Sequence, residues 1–421
     1  MSSTSAKHAK DTRAPKPNFA DRYALDGLRA LAAVLVVFFH AYQNNQAVPG
    51  GFQWTGLADS FAHSTELAVD LFFVISGFVL WLPVAKAAIA GTSQRPGRAM
   101  LRRRVVRLIP LYYIVFLVVW TIANPGIGAG WQDLLLHLTF TQIYSDQHIF
   151  YTVGPAWSLA VEFHYYLLIA LAIPVIGYFT RRASTRARRL AIVYVLPVAL
   201  VIIGVLYIAW ATVWDPQPID RWSVWFSAPA KAADFGLGMI VATIVRSGWS
   251  ASRRRSTSLV AVGLGIIAAC ILISGNLPEL DRQWFHIVFA VAAALIVLSR
   301  RSASKKSSAT PWGRMIAWIG AVSYSTYLLH ELVMHWLRDA GLLPAIGTTT
   351  GVFVTFVLVY AVALALSAIT YTVIEVPGQR IMGLYDANGR LRNHYAHLEE
   401  THLVPRRRMA GPVAVERNSS R

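Results

Sequence analysis

Ten long apolar stretches restrict this chain more than any other feature. They lie near residues 25–42, 67–84, 108–124, 158–179, 190–212, 229–245, 258–274, 284–299, 315–337 and 350–374. A helix that crosses the roughly 30 Å hydrocarbon core of a bilayer needs about 20 mostly apolar residues. In lipid the backbone can satisfy its polar groups only internally, so repeated stretches of this length predict a helical bundle. Composition agrees, because 55% of the 421 residues are hydrophobic and only 14% are charged, against about 25% charged in soluble domains. The single cysteine, Cys270, excludes an internal disulfide framework and any multi-cysteine metal site. The expected fold is all-α: a polytopic membrane helical bundle of about ten transmembrane helices.

The net charge of +18 would suit a nucleic-acid partner, but such a domain would not set its basic residues among stretches this apolar. Location explains the charge instead. With the N-terminus inside, the inner segments are 1–24, 85–107, 180–189, 246–257, 300–314 and 375–421, and they hold 34 of the 39 Lys and Arg residues. The outer loops hold only Arg221, Arg282 and Arg338, while Arg29 and Lys231 fall inside spans. The positive-inside rule then predicts that both termini are cytoplasmic in a multi-pass protein of the plasma membrane. No small-residue cleavage pattern follows the first span, which reads Tyr42-Gln43-Asn44-Asn45 at its end, so it is expected to be retained. The organisation expected is a basic N-terminal segment, 1–24, a membrane domain, 25–377, and a basic, disordered tail, 378–421. The Arg406-Arg407-Arg408 run in that tail suits anionic lipid.

Ionisable residues at membrane depth are costly and mark functional sites or buried pairs. The first span carries Asp26, Arg29 and His40. Arg29 and His40, 11 residues apart, fall within roughly 20° on one helix face and about 16 Å apart along the axis. Asp26 precedes Arg29 by one turn and can pair with it. A snorkelling Arg29 and a hydrogen-bonded core His40 would also satisfy the pattern. The second span has Glu66 and Asp70 at i, i+4, then Ser76-Gly77, small enough for close helix approach. Arg103, Arg104 and Arg107 gather at the mouth of the third span, with Pro110 placed in its first turns. Guanidinium groups chelate phosphate bidentately, so this cluster suits a polyphosphate ligand, although simple anchoring would account for it too. The fourth span contributes Glu162, His164, Tyr165 and Tyr166; the ninth contributes Tyr324, Tyr327, His330 and Glu331. Lys231 and Asp234, at i, i+3, are expected to neutralise each other and carry no chemistry.

In order, LDGLRALAAVLVVFFH, VDLFFVISGF, RRRVVRLIPLYY, WSLAVEFHYYLL, SYSTYLLHE and the closing IEVP resemble the acyltransferase-3 family, integral-membrane O-acyltransferases of the OafA/YrhL type. The resemblance covers about residues 23–377. It implies a catalytic role for His40 with Arg29, acyl-coenzyme A handling by Arg103, Arg104 and Arg107, and a role for Glu162. Many members continue the fourth-span motif with a second Glu and a Gln, where this chain has Phe163 and His164. Some relatives add a C-terminal hydrolase-like domain, which this sequence lacks, so transfer is expected to finish in the membrane domain or with a partner. Members act on lipopolysaccharide and capsular sugars, peptidoglycan, glycolipids and macrolides.

The resulting expectation is transfer of an acetyl or similar acyl group from acyl-coenzyme A to an alcohol. A neutral imidazole on His40 would accept the hydroxyl proton, a step worth about 10²–10⁴ in rate. Asp26 or Glu162 would orient that ring, and Arg29 would guide the donor or stabilise developing charge. Asp70, Tyr327, His330 and Glu331 are expected to support the site. A covalent acyl-histidine is compatible with the same residues. No permanently bound cofactor and no metal are expected; acyl-coenzyme A, a hydroxylated acceptor and membrane lipid are the partners, and nucleic acid is not. A secondary transporter is the alternative that buried Asp, Glu and His also suit.

Overall fold

The computed structural model describes residues 19–46, 54–124, 130–299, 310–344 and 346–378. Most of segment 1–24 and nearly all of the tail 378–421, with its Arg406-Arg407-Arg408 run, lie outside these residues. The described chain is helical, with no strand among the described residues. In order the helices are α1 (Phe19–Gln46), α2 (Leu57–Ser64), α3 (Ala68–Ala90), α4 (Gly97–Ala123), α5 (Trp131–Leu138), α6 (Ala156–Arg182) and α7 (Arg186–Ala209). They are followed by α8 (Trp222–Trp225), α9 (Ala232–Arg246), α10 (Arg253–Ser274), α11 (Trp284–Leu298), α12 (Pro311–Asp339) and α13 (Thr349–Thr370). Each apolar stretch falls on one long helix, while the short α2, α5 and α8 lie in the connections.

Among the described residues, 8 helical segments are long and apolar enough to cross a membrane. The two stretches that fall short are those on α9 and α12. Helix α9 has only 15 residues after a 3₁₀ turn at Pro229–Lys231. Helix α12 has 29 residues but interrupts its apolar run with His330, Glu331, His335 and Arg338. Outward faces are apolar: Leu171, Val195 and Val357 expose 72%, 67% and 58% of their surface, the reverse of a soluble protein's pattern. Several helices start from a Ser or Thr cap. Thr185, Ser252, Thr310 and Thr348 each accept a bond from the backbone N–H three residues on, satisfying donors that a helix start leaves open.

The third span begins earlier than its apolar pattern suggests. Helix α4 starts at Gly97, so the arginines are part of the helix and Pro110 lies in its interior instead of its first turns. Arginine is a good helix former, which lets the basic segment continue the helical register into the bundle.

Two packings set the architecture. Helix α9 runs antiparallel against α3, and a Cβ added at Gly77 would strike the Phe235 backbone, while one at Gly238 would strike that of Val74. Hydrogen in place of a side chain at both positions lets the backbones touch. Helix α12 runs parallel to α1, because Asp26 meets Gly320, His40 meets Glu331 and Asn44 meets Arg338. With α9 counted as a pass, seven intervening helices return the chain to its first direction.

Replacing Gly238 by Val should force α3 and α9 apart, since the clash is with backbone. Overpacking of this kind costs about 1–3 kcal/mol. The expected result is a lower unfolding temperature in detergent, read by size-exclusion after heating; an unchanged temperature would contradict the packing.

Candidate functional site

A cavity of about 80 Å³ opens between α1, α3, α4, α6 and α12. Its lining includes Arg29, Ser76, Arg104, Arg107, Glu162 and Tyr327. Arg104 and Arg107 are three residues apart on α4 and therefore share a face. Arg103, about 100° around the helix, is exposed and is not among the lining residues. The guanidinium of Arg104 lies 5.6 Å from the Tyr166 ring centre, within cation–π range. Arg107 Nε is 4.0 Å from Glu375 Oε2, and Ser325 Oγ donates to Glu375 Oε1 at 2.5 Å. Glu375 ends the π-helical turn Tyr371–Glu375 that follows α13, an irregularity that turns its carboxylate inward.

Arg29 is paired with Asp26 at 3.6 Å and faces the same cavity. Glu162 has both oxygens engaged: Ser76 Oγ donates to Oε1 at 2.6 Å, and the Tyr166 hydroxyl donates to Oε2. These contacts correct the expectation that Asp26 or Glu162 orients His40. The ring of His40 is held by Glu331, with Nδ1 at 3.0 Å from Oε1. A carboxylate only accepts, so Nδ1 carries the proton of the neutral ring and Nε2 is left as a base. Each side chain of this pair is 20% exposed, so the dyad is sheltered but not sealed. The other Glu331 oxygen abuts Gly154, where a Cβ would collide with it; the absent side chain lets the loop before α6 close over the carboxylate.

The polar face of α12 splits between the two regions. Tyr324 and Tyr327 line the cavity, and the Tyr324 hydroxyl donates to the Leu108 carbonyl at 2.6 Å. Farther along, the His330 ring centre is 4.9 Å from that of His40. Donor atoms of His40, His330 and Glu331 lie within 4.8 Å of one another, a His₂Glu set of the type that can bind a divalent metal. His40 and Glu331 already satisfy each other, so the dyad accounts for their positions without an ion.

Asp70 belongs elsewhere. It is buried at the start of α3, with Lys231 Nζ at 3.4 Å and His286 Nδ1 at 2.7 Å. Lys231 thus pairs with Asp70, correcting the expected Lys231–Asp234 neutralisation. Lys231 ends a 3₁₀ turn and Asp234 lies in the first turn of α9, so uniform α-helical spacing does not hold between them. Lys231 also lies 6.0 Å from the Trp157 ring centre. His286 went unnoticed in the sequence, though an ionisable residue inside the eighth apolar stretch was signal enough. Glu375 was missed because it falls one residue past the tenth. His164 does not line the cavity; its Nδ1 bonds the Ala160 carbonyl at 2.8 Å.

Lys231→Met should strand a buried carboxylate. Losing one partner of such a pair costs about 3–5 kcal/mol, and adding Asp70→Asn should recover much of it. Thermal unfolding of the single and double variants reads this directly; no recovery would argue against the pair.

The acyltransferase domain family matches residues 22–372. Acyltransferase MdmB of Streptomyces mycarofaciens is 26% identical over 86% of this chain and 92% of its own length. The putative peptidoglycan O-acetyltransferase YrhL of Bacillus subtilis is 24% identical over 84% of this chain, and O-acetyltransferase OatA of Staphylococcus aureus is 26% identical over 87%. The chain spans 54% and 59% of the lengths of these two. No solved structure matches it. A chain whose described residues form helices and no strand, with apolar outward faces, and which that domain matches over nearly its whole described length, belongs to the acyltransferase-3 family of membrane acyltransferases.

Proposed function

We propose that this protein moves an acyl group from acyl-coenzyme A to a hydroxyl of a cell-envelope glycan, a glycolipid or a secondary metabolite. The observation that carries the reading is the His40–Glu331 dyad, built on the same α1–α12 pair whose other half lines an arginine-bearing cavity. His40 Nε2 takes the proton of the acceptor hydroxyl as its oxygen attacks the thioester carbonyl. The O–C bond forms, the C–S bond breaks, and coenzyme A departs as the thiol. Glu331 fixes the ring's tautomer and balances the positive charge the ring gains.

Arg104 and Arg107 bind the phosphates of the donor, since planar guanidinium groups match phosphate oxygens in pairs. Arg29 meets the donor arm within the cavity. Glu162, held by Ser76 and Tyr166, keeps that wall polar and in place. With the N-terminus cytoplasmic, in the plasma membrane, the arginines lie on the side where acyl-coenzyme A is made. The donor is a co-substrate, so no resident cofactor is needed. The name of the YrhL relative, a putative peptidoglycan O-acetyltransferase, supports a hydroxylated glycan as acceptor. Mass spectrometry of envelope glycans, glycolipids and secreted metabolites, with and without the gene, should reveal one missing ester; identical ester profiles would refute the assignment.

His40→Ala should lower acyl transfer by about 10²–10⁴, the worth of a positioned base, with the protein still inserted and folded. Glu331→Gln keeps an acceptor for Nδ1 but removes the charge, and should cost about 10–100-fold, the value of a charge-assisted bond. Turnover assays on purified variants check both, and wild-type rates in either would remove that residue from the mechanism.

Arg104→Ala with Arg107→Ala should raise the apparent KM for acyl-coenzyme A by about tenfold or more, as loss of a charged phosphate contact implies. The KM for the acceptor should change far less. Equal effects on both substrates would count against a phosphate cradle.

A further inference from the structure

His330 has no task in this mechanism, yet its setting is unusual. It is wholly buried, one residue before Glu331, and its Nδ1 lies 2.5 Å from the Tyr327 backbone carbonyl. A carbonyl only accepts, so Nδ1 carries the hydrogen of the neutral ring and Nε2 is a bare lone pair. That Nε2 has no hydrogen-bond partner. Buried acceptors are rarely left open, and this one sits beside the ring of the base. Tyr327, whose ring centre is 5.7 Å from that of His330, is also a lining residue of the donor cavity, whereas His40 is not.

We propose that His330 and Tyr327 form a proton relay from His40 to the sulfur leaving in the donor cavity. This inference rests on the acyl-transfer reading above. That reaction needs no net proton: the alcohol's proton leaves oxygen as the O–C bond forms and must reach sulfur after the C–S bond breaks. His40 Nε2 receives it. One water carries it on to His330 Nε2 across the space between the two rings, whose centres are 4.9 Å apart, a gap one water spans. The Tyr327 hydroxyl then gives its proton to the thiolate and takes, through a second water, the one held by His330 Nε2. Every group ends as it began, and no other reactant is consumed. Glu331 supplies the negative charge that steadies each imidazolium in turn.

The test compares leaving groups. Wild-type, His330→Asn, Tyr327→Phe and His40→Ala proteins in lipid nanodiscs would be assayed for thiol release and for the ester on chitotetraose as hydroxyl probe. One donor is acetyl-coenzyme A; the other is an acetyl thioester of thionitrobenzoate, whose weakly basic thiolate departs without a proton. With acetyl-coenzyme A, His330→Asn and Tyr327→Phe should lose about tenfold or more in kcat, the scale of general acid catalysis, with KM unchanged. With the aryl donor His330→Asn, which lies outside the cavity lining, should stay within about threefold of wild type, while His40→Ala fails with both. A second reading uses acetyl-coenzyme A alone: wild-type turnover should fall along a curve as deuterium replaces hydrogen in the solvent, and each relay variant along a straight line. Equal losses on both donors, a loss expressed in KM, or the same deuterium dependence in variants and wild type would overturn the relay. Failure of the wild type to release thiol from either donor would instead refute acyl transfer itself.

Discussion

An imidazole and a carboxylate inside a membrane protein are each costly alone, and their meeting across α1 and α12 is the contact on which this site depends. It exists because the two helices run parallel in one register. Gly320 lets α12 close on the backbone at Asp26, and Asn44 with Arg338 ties the far end. Between those points His40 and Glu331 coincide. Sliding α12 by one residue would turn Glu331 by about 100°, leaving both groups without a partner. A single backbone approach near Gly320 therefore governs a pairing well over a turn away.

The same helix separates two duties along its length. Tyr324 and Tyr327 look into the cavity where Arg29, Arg104 and Arg107 gather, and His330 with Glu331 continues the face to His40. An open, positively lined cavity and a sheltered imidazole–carboxylate pair make opposite demands on their surroundings, and distance along α12 keeps the two apart. Around this axis the other polar contacts hold walls in place. Glu162 is fixed by Ser76 and Tyr166, and Arg107 is steadied by a carboxylate delivered by a π-helical turn. The Asp70, Lys231 and His286 group ties α3 to the turn before α9 and to α11, and Lys231 lies near Trp157, which packs on the cavity-lining Phe73.

Much of this was legible in the residues. Apolar stretches of spanning length located every long helix, since length and hydropathy are local properties. The Arg29–His40 spacing was readable because both lie on one helix, where rotation per residue is known. Reading failed where geometry stopped being local. Pro110 is expected in the first turns of its helix, yet α4 continues through it from Gly97. Lys231 and Asp234 looked like partners, yet Lys231 reaches a carboxylate 161 positions away. Arg103 and Arg104 were indistinguishable as letters, and only one of them lines the cavity.

By itself, then, the order of residues determined that the chain is a helical membrane bundle, where its helices fall, and which ionisable side chains lie at costly depth. Those follow from hydrogen-bond satisfaction in lipid and from the pitch of a helix, which need no knowledge of neighbours. Partner choice was decided only by the tertiary structure: Glu331 for His40, Asp70 for Lys231, Ser76 and Tyr166 for Glu162. Electrostatic pairing falls off with distance in space, and distance between helices depends on which backbones can touch, a property carried by glycines far from the charges they bring together.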